Sequence, residues 1–286
     1  MNRQKGNLAL LHIYDETSPL KDLCVCKGTA VPAFETFENS HEEFTKFPML
    51  RWDRDKLLRQ QEEFYVLMDR YGVRLRFVPH SAEHPWQMYT RDTGFVIHDK
   101  LYFSNIRELP ERTDEIDLVR RCISGVTDAD VIDIKSGRIE GGDVLVDNDT
   151  VYVGLGTRTT PEAVEELSRH VDVTPVHLGP RVMHLDTRMT ILPGRIALVC
   201  QTAFKPEDLE MLRSRFALIE VTDAEARAMG TNVFVIDPET VVVHVGFERI
   251  ADELRSKGLK LELLDYSEPN ALLGSFRCAT MPLARS

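Results

Sequence analysis

The stretch Asp143-Val144-Leu145-Val146-Asp147-Asn148-Asp149-Thr150-Val151-Tyr152-Val153 contains two short apolar runs on either side of a polar turn. Runs rich in valine and tyrosine are typical of β-strands, and a connection made of Asp and Asn is typical of a tight turn. The stretch therefore predicts a β-hairpin that opens on a polar residue, Asp143. This pattern decides the fold because it recurs along the chain.

The same sequence of a polar or small residue, an apolar run, a turn and a second apolar run occurs five times. The other copies open at Asp92, Asp186, Asn232 and Cys278, and the last one ends before its second run. Successive opening residues, which we call the anchor residues, are 43 to 51 residues apart. A regular spacing of this size predicts a repeat architecture.

Each hairpin is followed by a helical pattern and then by one more strand-like run. The helices are predicted over residues 52–71, 112–124, from Thr160-Pro161 onward, 205–216 and 247–257, where Gly258 is expected to end the last one. The following strands are predicted over residues 73–78, 130–134, 172–178, 218–221 and 259–265. The repeating unit is therefore hairpin, helix, strand.

One such unit cannot bury its sheet alone, so neighbouring units must pack against each other. The fifth hairpin lacks its second strand, and the apolar run Lys21–Cys26 near the N-terminus can supply it. This exchange would close a ring and remove an open sheet edge. We predict an α/β fold, a five-bladed α/β propeller, formed as one domain by residues 1–286, with residues 1–18 as an N-terminal arm or extra strand.

The composition is that of a globular protein, with 43% hydrophobic and 28% charged residues and a formal net charge of −11. A negative surface argues against nucleic acid and anionic membranes as partners, and no apolar run is long enough to span a membrane. The five cysteines are odd in number and no signal peptide is evident, so we expect free thiols and a cytoplasmic location. Cys24 and Cys26 are interpreted as buried strand residues rather than metal ligands.

In a ring of repeats, equivalent positions meet near the axis. These anchor positions hold three carboxylates, an amide and a thiol, and carboxylates are costly to bury unless they meet a cation. His184 lies two residues before Asp186, so in a strand both side chains would point to one side. Glu140 precedes Gly141-Gly142, where backbone and ligand can approach closely. The sequence thus predicts a polar site at the axis.

Five segments carry a resemblance to the guanidino-group modifying enzymes. They are Tyr89-Thr90-Arg91-Asp92 followed by Gly94, Ile139-Glu140-Gly141-Gly142-Asp143, His184-Leu185-Asp186-Thr187, Gly230-Thr231-Asn232-Val233, and the run from Gly274 through Cys278 to Leu283. The similarity covers roughly residues 20 to 286 and is greatest to bacterial dimethylarginine dimethylaminohydrolases, which are related to arginine deiminases and amidinotransferases. The fold that this resemblance implies is the five-bladed α/β propeller, or pentein.

The resemblance also implies roles for individual residues. Cys278 would be the nucleophile, His184 the general acid and base, and Glu140 the residue that orients His184. Substrate would be bound by the remaining candidates, of which Asp92 and Asp186 would hold the guanidinium nitrogens, Arg158 and Arg112 a substrate carboxylate, and Asn232 part of the site wall. Asp143 is interpreted as structural. No metal and no organic cofactor is implied.

These residue types suit attack on a guanidinium carbon. The carbon is deactivated by resonance, so carboxylates must hold the group as a cation, a thiolate must attack, and an imidazolium must protonate the departing amine. Hydrolysis of arginine or a modified arginine, giving a ureido product such as citrulline, is the first hypothesis. Amidino transfer to an amine acceptor is the second, and a non-enzymatic propeller that binds an arginine-like ligand is the third.

Two features are left open by the sequence. The residues before Cys278 read Asn270-Ala271-Leu272-Leu273-Gly274-Ser275, where many members of the resembling family have two glycines, so substrate selectivity is expected to differ. The expected partner is a small guanidino compound, and a homodimer is one assembly that the sequence permits.

Overall fold

Five three-stranded sheets form the structure, which is a computed structural model that describes residues 11–37, 50–106, 112, 114–123 and 131–286. The fifteen strands within these ranges are β1 Leu20–Val25, β2 Arg74–Phe77, β3 Gly94–Ile97, β4 Lys100–Phe103, β5 Val131–Asp133, β6 Val144–Asp147, β7 Thr150–Leu155, β8 Val173–His177, β9 Met189–Leu192, β10 Ile196–Val199, β11 Ala217–Glu220, β12 Phe234–Val235, β13 Thr240–His244, β14 Lys260–Leu264 and β15 Thr280–Arg285.

All five sheets have the same pairing. In each of the four internal units, the first two strands form an antiparallel hairpin and the third strand joins the second in parallel. In the fifth sheet β15 pairs antiparallel with β1, and β1 pairs in parallel with β2. The N-terminal strand therefore fills the place of the missing hairpin strand, and the predicted five-bladed α/β propeller is confirmed.

An α-helix lies between the second and third strands of every unit. These helices are α1 Arg54–Arg70, α2 Glu115–Cys122, α3 Pro161–Leu167, α4 Pro206–Arg215 and α6 Glu248–Ser256; two shorter helices, α5 Asp223–Arg227 and α7 Ser267–Ala271, precede the anchor residues Asn232 and Cys278. Gly258 ends α6 in the left-handed region, with φ of 83°. Thr160 stands at the N-cap of α3, but its hydroxyl accepts a hydrogen bond from the Arg138 N–H instead of capping the helix. Of the helix predicted over residues 112–124, Thr113 and Ser124 lie outside the described residues, as does Asp130 of the strand predicted over residues 130–134.

The hairpin strands are buried on both faces because each blade packs between two neighbours. Val144 and Val146 of β6 belong to one apolar cluster, while Leu145 between them belongs to another. Alternate side chains of a strand point to opposite faces, so two clusters on one strand mean two packed faces. This explains why the hairpin sequences are continuous apolar runs. Within the described ranges, no helix is long and apolar enough to cross a membrane.

Residues 11–18 form an arm that crosses one end of the ring. His12, Ile13 and Asp15 make single β-bridges to three different units, at Ala284, His98 and Asp147. Of the predicted N-terminal arm or extra strand, residues 1–10 lie outside the described residues. The described part is an arm held by backbone contacts to several blades, and it inserts Glu16 into the ring.

Candidate active site

The anchor residues lie in short turns that enter the strands rather than in the strands themselves. Asp92, Asp143 and Asp186 each occupy a single 3-10 turn, at Thr90–Thr93, Gly141–Asp143 and Leu185–Thr187. The expectation that a strand aligns His184 with Asp186 is therefore wrong in its local geometry. His184 is extended, with φ of −136° and ψ of 157°, and the turn begins immediately after it. Both side chains are nevertheless buried near the axis.

His184 lies between two carboxylates. Its Nε2 is 2.7 Å from Oε2 of Glu140, and its Nδ1 is 3.8 Å from Oδ1 of Asp92. Glu140 in turn accepts from Nη1 of Arg158 at 3.1 Å, and Asp92 accepts from Nη1 of Arg112 at 2.6 Å. The order of the groups is cation, carboxylate, imidazole, carboxylate, cation, so each buried charge faces an opposite one.

The carboxylates decide the protonation of His184. Burial disfavours the imidazolium, but the charges of Asp92 and Glu140 outweigh burial and raise the pKa of His184 to about 10. Burial also opposes the charged form of Glu140, yet Arg158 and His184 hold the pKa of Glu140 well below its usual range. At neutral pH the pair is therefore an imidazolium and a carboxylate, and His184 has a proton to donate.

This raised pKa predicts how stability depends on pH. The unfolded chain has a histidine pKa of about 6.5. The contribution of His184 to the free energy of unfolding is therefore complete below about pH 6.5 and is lost as the pH rises towards 10. We expect the stability difference between the wild type and His184→Gln, measured by urea unfolding, to shrink steadily across this interval. A difference that stays constant from pH 6 to 10 would contradict the imidazolium assignment.

Cys278 lies beside Asp186 at the axis. Its side chain is 4% exposed, and Sγ is 4.0 Å from Oδ1 of Asp186. Burial, and then the charges of Asp186 and Asp92, raise the pKa of the Cys278 thiol well above its ordinary value. A thiol that faces carboxylates stays protonated until a cation lies close to it. The thiol and the carboxylates together thus favour a cationic ligand at this point.

Asn232 fixes the backbone at the nucleophile. Its Oδ1 accepts from the backbone N–H of Arg277 at 3.0 Å and of Cys278 at 3.3 Å, while its Nδ2 donates to the Asp186 carbonyl at 3.0 Å. The sequence places Asn232 in the site wall without a specific role. In the structure its amide joins the turns that carry Cys278 and Asp186.

Asp143 is also buried, but it connects the segment that holds Thr159 to the segment that holds Leu185. It accepts from the Thr159 hydroxyl at 2.6 Å and from the Leu185 N–H at 2.8 Å. Burial raises the pKa of Asp143 to about 7, although His184 and these hydrogen bonds oppose the rise. These contacts fit the structural interpretation, because Asp143 fixes the residue that follows His184.

The two candidate carboxylate-binding arginines are paired with site carboxylates. Arg158 donates to Glu140, as described above. Arg112 donates to Asp92, to Glu115 through both Nε and Nη2, and to the carbonyls of Trp86 and Tyr89. With these partners the guanidinium of Arg112 is largely occupied, so its geometry supports positioning of Asp92 rather than the predicted binding of a substrate carboxylate.

Several buried polar residues of this region were not identified from the sequence. Glu115 pairs with Arg112, Arg277 lies 3.7 Å from Asp186, and the Tyr89 hydroxyl donates to two carbonyls of the segment before Cys278, those of Pro269 and Leu272. A signal was present for Arg277 and for Arg91, since each arginine directly precedes an anchor residue. Glu115 and the arm residue Glu16 carry no such signal.

One group of described residues has the spacing of metal ligands. Ligand atoms of Asp92, Glu140 and His184 lie within 4.8 Å of one another. Both carboxylates already face arginines and the imidazole is protonated, so this arrangement suits an organic cation better than a metal ion.

A cavity of about 550 Å³ lies beside the loops that precede three anchor residues. Its lining includes Val182 and Met183 before His184, Met229 before Asn232, and Leu273 before Cys278. Leu273 has φ of 66°, so a leucine occupies the left-handed conformation that favours glycine. Gly274 next to it packs against the Tyr89 ring, where a Cβ would come within 2.2 Å. The altered loop therefore lines a space next to the site.

Five α/β units around a buried thiol, an imidazolium and the carboxylates of Asp92, Glu140 and Asp186 define a pentein of the guanidino-group modifying class. Comparison with known proteins specifies the family. The model of the family described as N,N dimethylarginine dimethylhydrolase, eukaryotic, matches residues 51–285, and the chain belongs to this family.

The chain is also similar to individual proteins and solved structures. An uncharacterized protein of Bacillus subtilis (strain 168), YkgA, is 35% identical over 79% of this chain and 79% of its own length. The N(G),N(G)-dimethylarginine dimethylaminohydrolase of Pseudomonas aeruginosa is 21% identical over 80% of this chain and 89% of its own length. Among solved structures, the N-terminal domain of ArgZ, an arginine dihydrolase from cyanobacteria, superposes with a TM-score of 0.79 at 17% identity over 92% of this chain and 97% of that chain, which shows the shared fold.

Proposed function

We propose that this protein hydrolyses a C–N bond of the guanidinium group of arginine or a methylated arginine, giving citrulline or a related ureido product and an amine or ammonia. The observation that carries the proposal is the buried Cys278 thiol facing Asp186, with the His184–Glu140 pair on the same axis. Membership of the dimethylarginine hydrolase family supports it.

The proposed binding step uses the buried carboxylates. A guanidinium cation bound beside Cys278 and Asp186 would pair with the Asp186 carboxylate, and Asp92 would face a second edge of the planar group. The cation would offset the negative field that holds the thiol protonated, so the thiolate forms when substrate is bound. The nucleophile is thus activated by the group that it attacks.

The chemical steps then follow from the proton on His184. The Cys278 thiolate forms an S–C bond to the guanidinium carbon, and the imidazolium protonates the departing nitrogen as its C–N bond breaks. The product is a thiouronium on Cys278 and a neutral His184. His184 next takes a proton from water as the oxygen adds to the same carbon. The S–C bond then breaks while the proton of the new hydroxyl passes to the sulfur, which releases the neutral ureido product. This step restores the thiol proton that was lost to solvent when the substrate bound, and His184 is again an imidazolium.

In this proposal Glu140 keeps His184 oriented and Arg158 balances the charge of Glu140. Arg158 remains the proposed contact for a substrate carboxylate, because a planar guanidinium matches the geometry of a carboxylate. Arg112 is proposed to position Asp92, and Asn232 to position Cys278.

The test is colorimetric detection of ureido product with arginine, monomethylarginine, asymmetric dimethylarginine, agmatine and guanidino acids as separate substrates. Parallel reactions receive glycine or ornithine. Release of ureido product without an acceptor supports hydrolysis. A new guanidino compound that forms from the acceptor without ureido product, such as guanidinoacetate from glycine, is detected by mass spectrometry and would identify an amidinotransferase. Absence of both with every substrate would contradict an enzymatic role for guanidino compounds.

Asp186 is expected to determine the selectivity between substrates with methylated and unmethylated guanidinium nitrogens. Its carboxylate accepts hydrogen bonds from N–H groups, and a dimethylated nitrogen has none to donate. If the departing nitrogen faces Asp186, arginine or monomethylarginine should exceed asymmetric dimethylarginine in kcat/KM, by about tenfold or more. Asp186→Asn should then narrow this ratio while lowering all three rates. A wild type that prefers dimethylarginine, with the ratio unchanged in Asp186→Asn, would place Asp186 at the other terminal nitrogen.

A further inference from the structure

Two of the anchor residues are directly preceded by a buried arginine. Arg91 precedes Asp92 and Arg277 precedes Cys278, and both side chains are buried. A third buried arginine, Arg285 at the end of β15, lies near them, and Arg91 and Arg285 line one small cavity together with Glu16. The three arginines therefore form a layer of positive charge next to the site carboxylates and the thiol.

Glu16 is the carboxylate that the N-terminal arm adds to this layer. Its side chain is 4% exposed, its Oε2 accepts from Nη1 of Arg277 at 2.8 Å, and its Oε1 accepts from the Val146 N–H at 3.2 Å. Burial opposes its charge, but Arg277, Arg91 and Arg285 together lower the pKa of Glu16 to about 2. Glu16 is thus a carboxylate at every pH at which the fold is studied.

Arg277 connects Glu16 to the nucleophile. Its Nε is 3.7 Å from Oδ2 of Asp186, whose other oxygen lies 4.0 Å from Cys278 Sγ. The arginine shares its charge between two carboxylates, one from the arm and one from the site. Loss of the Glu16 charge would leave Arg277 with Asp186 alone, and the field at the thiol would become more positive.

We propose that Glu16, a residue outside the five repeats, is a positioning residue that sets the electrostatic field at the Cys278 thiol through Arg277 and Asp186. The inference rests on the proposed role of Cys278 as nucleophile. The arm thereby contributes to the chemistry and does more than cover one end of the ring.

The test measures the reactivity of Cys278 directly. The rate of Cys278 alkylation by iodoacetamide is followed against pH by peptide mass spectrometry, which distinguishes Cys278 from the other four cysteines. Charged and titratable groups that act on this thiol are Asp186, Asp92, Arg277, Arg91, Tyr89 and Tyr266. Glu16→Gln leaves all six of these residues in the chain, and Glu16 contacts one of them, Arg277, directly. A shift in the midpoint therefore reports the charge of Glu16 as it acts through these groups.

Glu16→Gln keeps the size of the side chain and removes its charge. We expect the alkylation midpoint to move to lower pH by about one unit or more. Asp147→Asn is the matched control, because Asp147 is also buried, also pairs with an arginine (Arg195, at 2.7 Å) and also contacts the arm, but lies outside the anchor residues. It should leave the midpoint unchanged. A folded Glu16→Gln variant with the wild-type midpoint would overturn the proposal.

A second variant tests the proposal even if Glu16→Gln does not fold. Arg277→Gln should move the midpoint to higher pH, and the double variant, which loses one charge of each sign, should return it towards the wild-type value. An unchanged midpoint in Arg277→Gln would also overturn the proposal. Because alkylation needs no turnover, these outcomes remain distinct from a failure to hydrolyse any guanidino substrate.

Discussion

Cys278→Ser is expected to lose at least ~10³-fold in kcat/KM for whichever guanidino substrate is turned over. The hydroxyl that replaces the thiol has a far higher pKa, and near Sγ the structure provides Asp186, which would repel an alkoxide, rather than a base aimed at this atom. A bound guanidinium can bring a thiol to its thiolate but cannot do the same for an alcohol. The measurement is the rate of ureido product formation at substrate concentrations well below KM, where the rate is proportional to kcat/KM.

The control for this variant is Cys200→Ser. Cys200 is as buried as Cys278, but its Sγ contacts Thr202 and Asp223 away from the anchor residues. It should keep nearly full activity, and both variants should retain the wild-type circular dichroism spectrum. A Cys278→Ser protein that retains more than about a tenth of the activity would exclude the covalent mechanism.

Glu140→Gln is expected to lower kcat by roughly 10²- to 10⁴-fold, because the proton on His184 would no longer be held by a carboxylate at 2.7 Å. The pKa of His184 should fall from its raised value, which NMR titration of the imidazole can follow. The same change leaves Arg158 buried without its carboxylate partner. We therefore expect a loss of about 3 kcal/mol in the free energy of unfolding.

Glu165→Gln provides the comparison for the stability effect. Glu165 pairs with Arg169 four residues later on the surface, and both side chains are exposed, so its loss should change stability by less than about 1 kcal/mol. Equal stability losses in the two variants would show that the buried Glu140–Arg158 pair contributes no more to stability than the exposed pair does. If the imidazole pKa of His184 is unaltered in Glu140→Gln, the proposed role of Glu140 in orienting His184 is wrong.

The sequence by itself determined the repeat and therefore the fold. Apolar runs, Asp- and Asn-rich turns and helical patterns are local signals, and their recurrence required five equivalent units. The exchange of β1 into the last sheet followed as well, because a hairpin with one strand leaves an unpaired edge that another strand must cover. The anchor positions followed from symmetry, since equivalent residues of a ring meet at its axis.

Only the tertiary structure decided what the polar residues do to one another. The sequence shows that residue 112 is an arginine but not whether its guanidinium binds a substrate or a protein carboxylate. The packing of α2 against the first anchor turn brings Arg112 into contact with Asp92 and Glu115. The protonation of His184 depends on distances to Asp92 and Glu140, which are 92 and 44 residues away in the chain. Glu16 lies in a segment without any repeat pattern, so nothing local indicates that it reaches Arg277, 261 residues later. Electrostatic interactions act through space between segments that are distant in the chain. The hydrophobic pattern that forms the blades is a property of residues that are neighbours in the chain, so the sequence shows it directly.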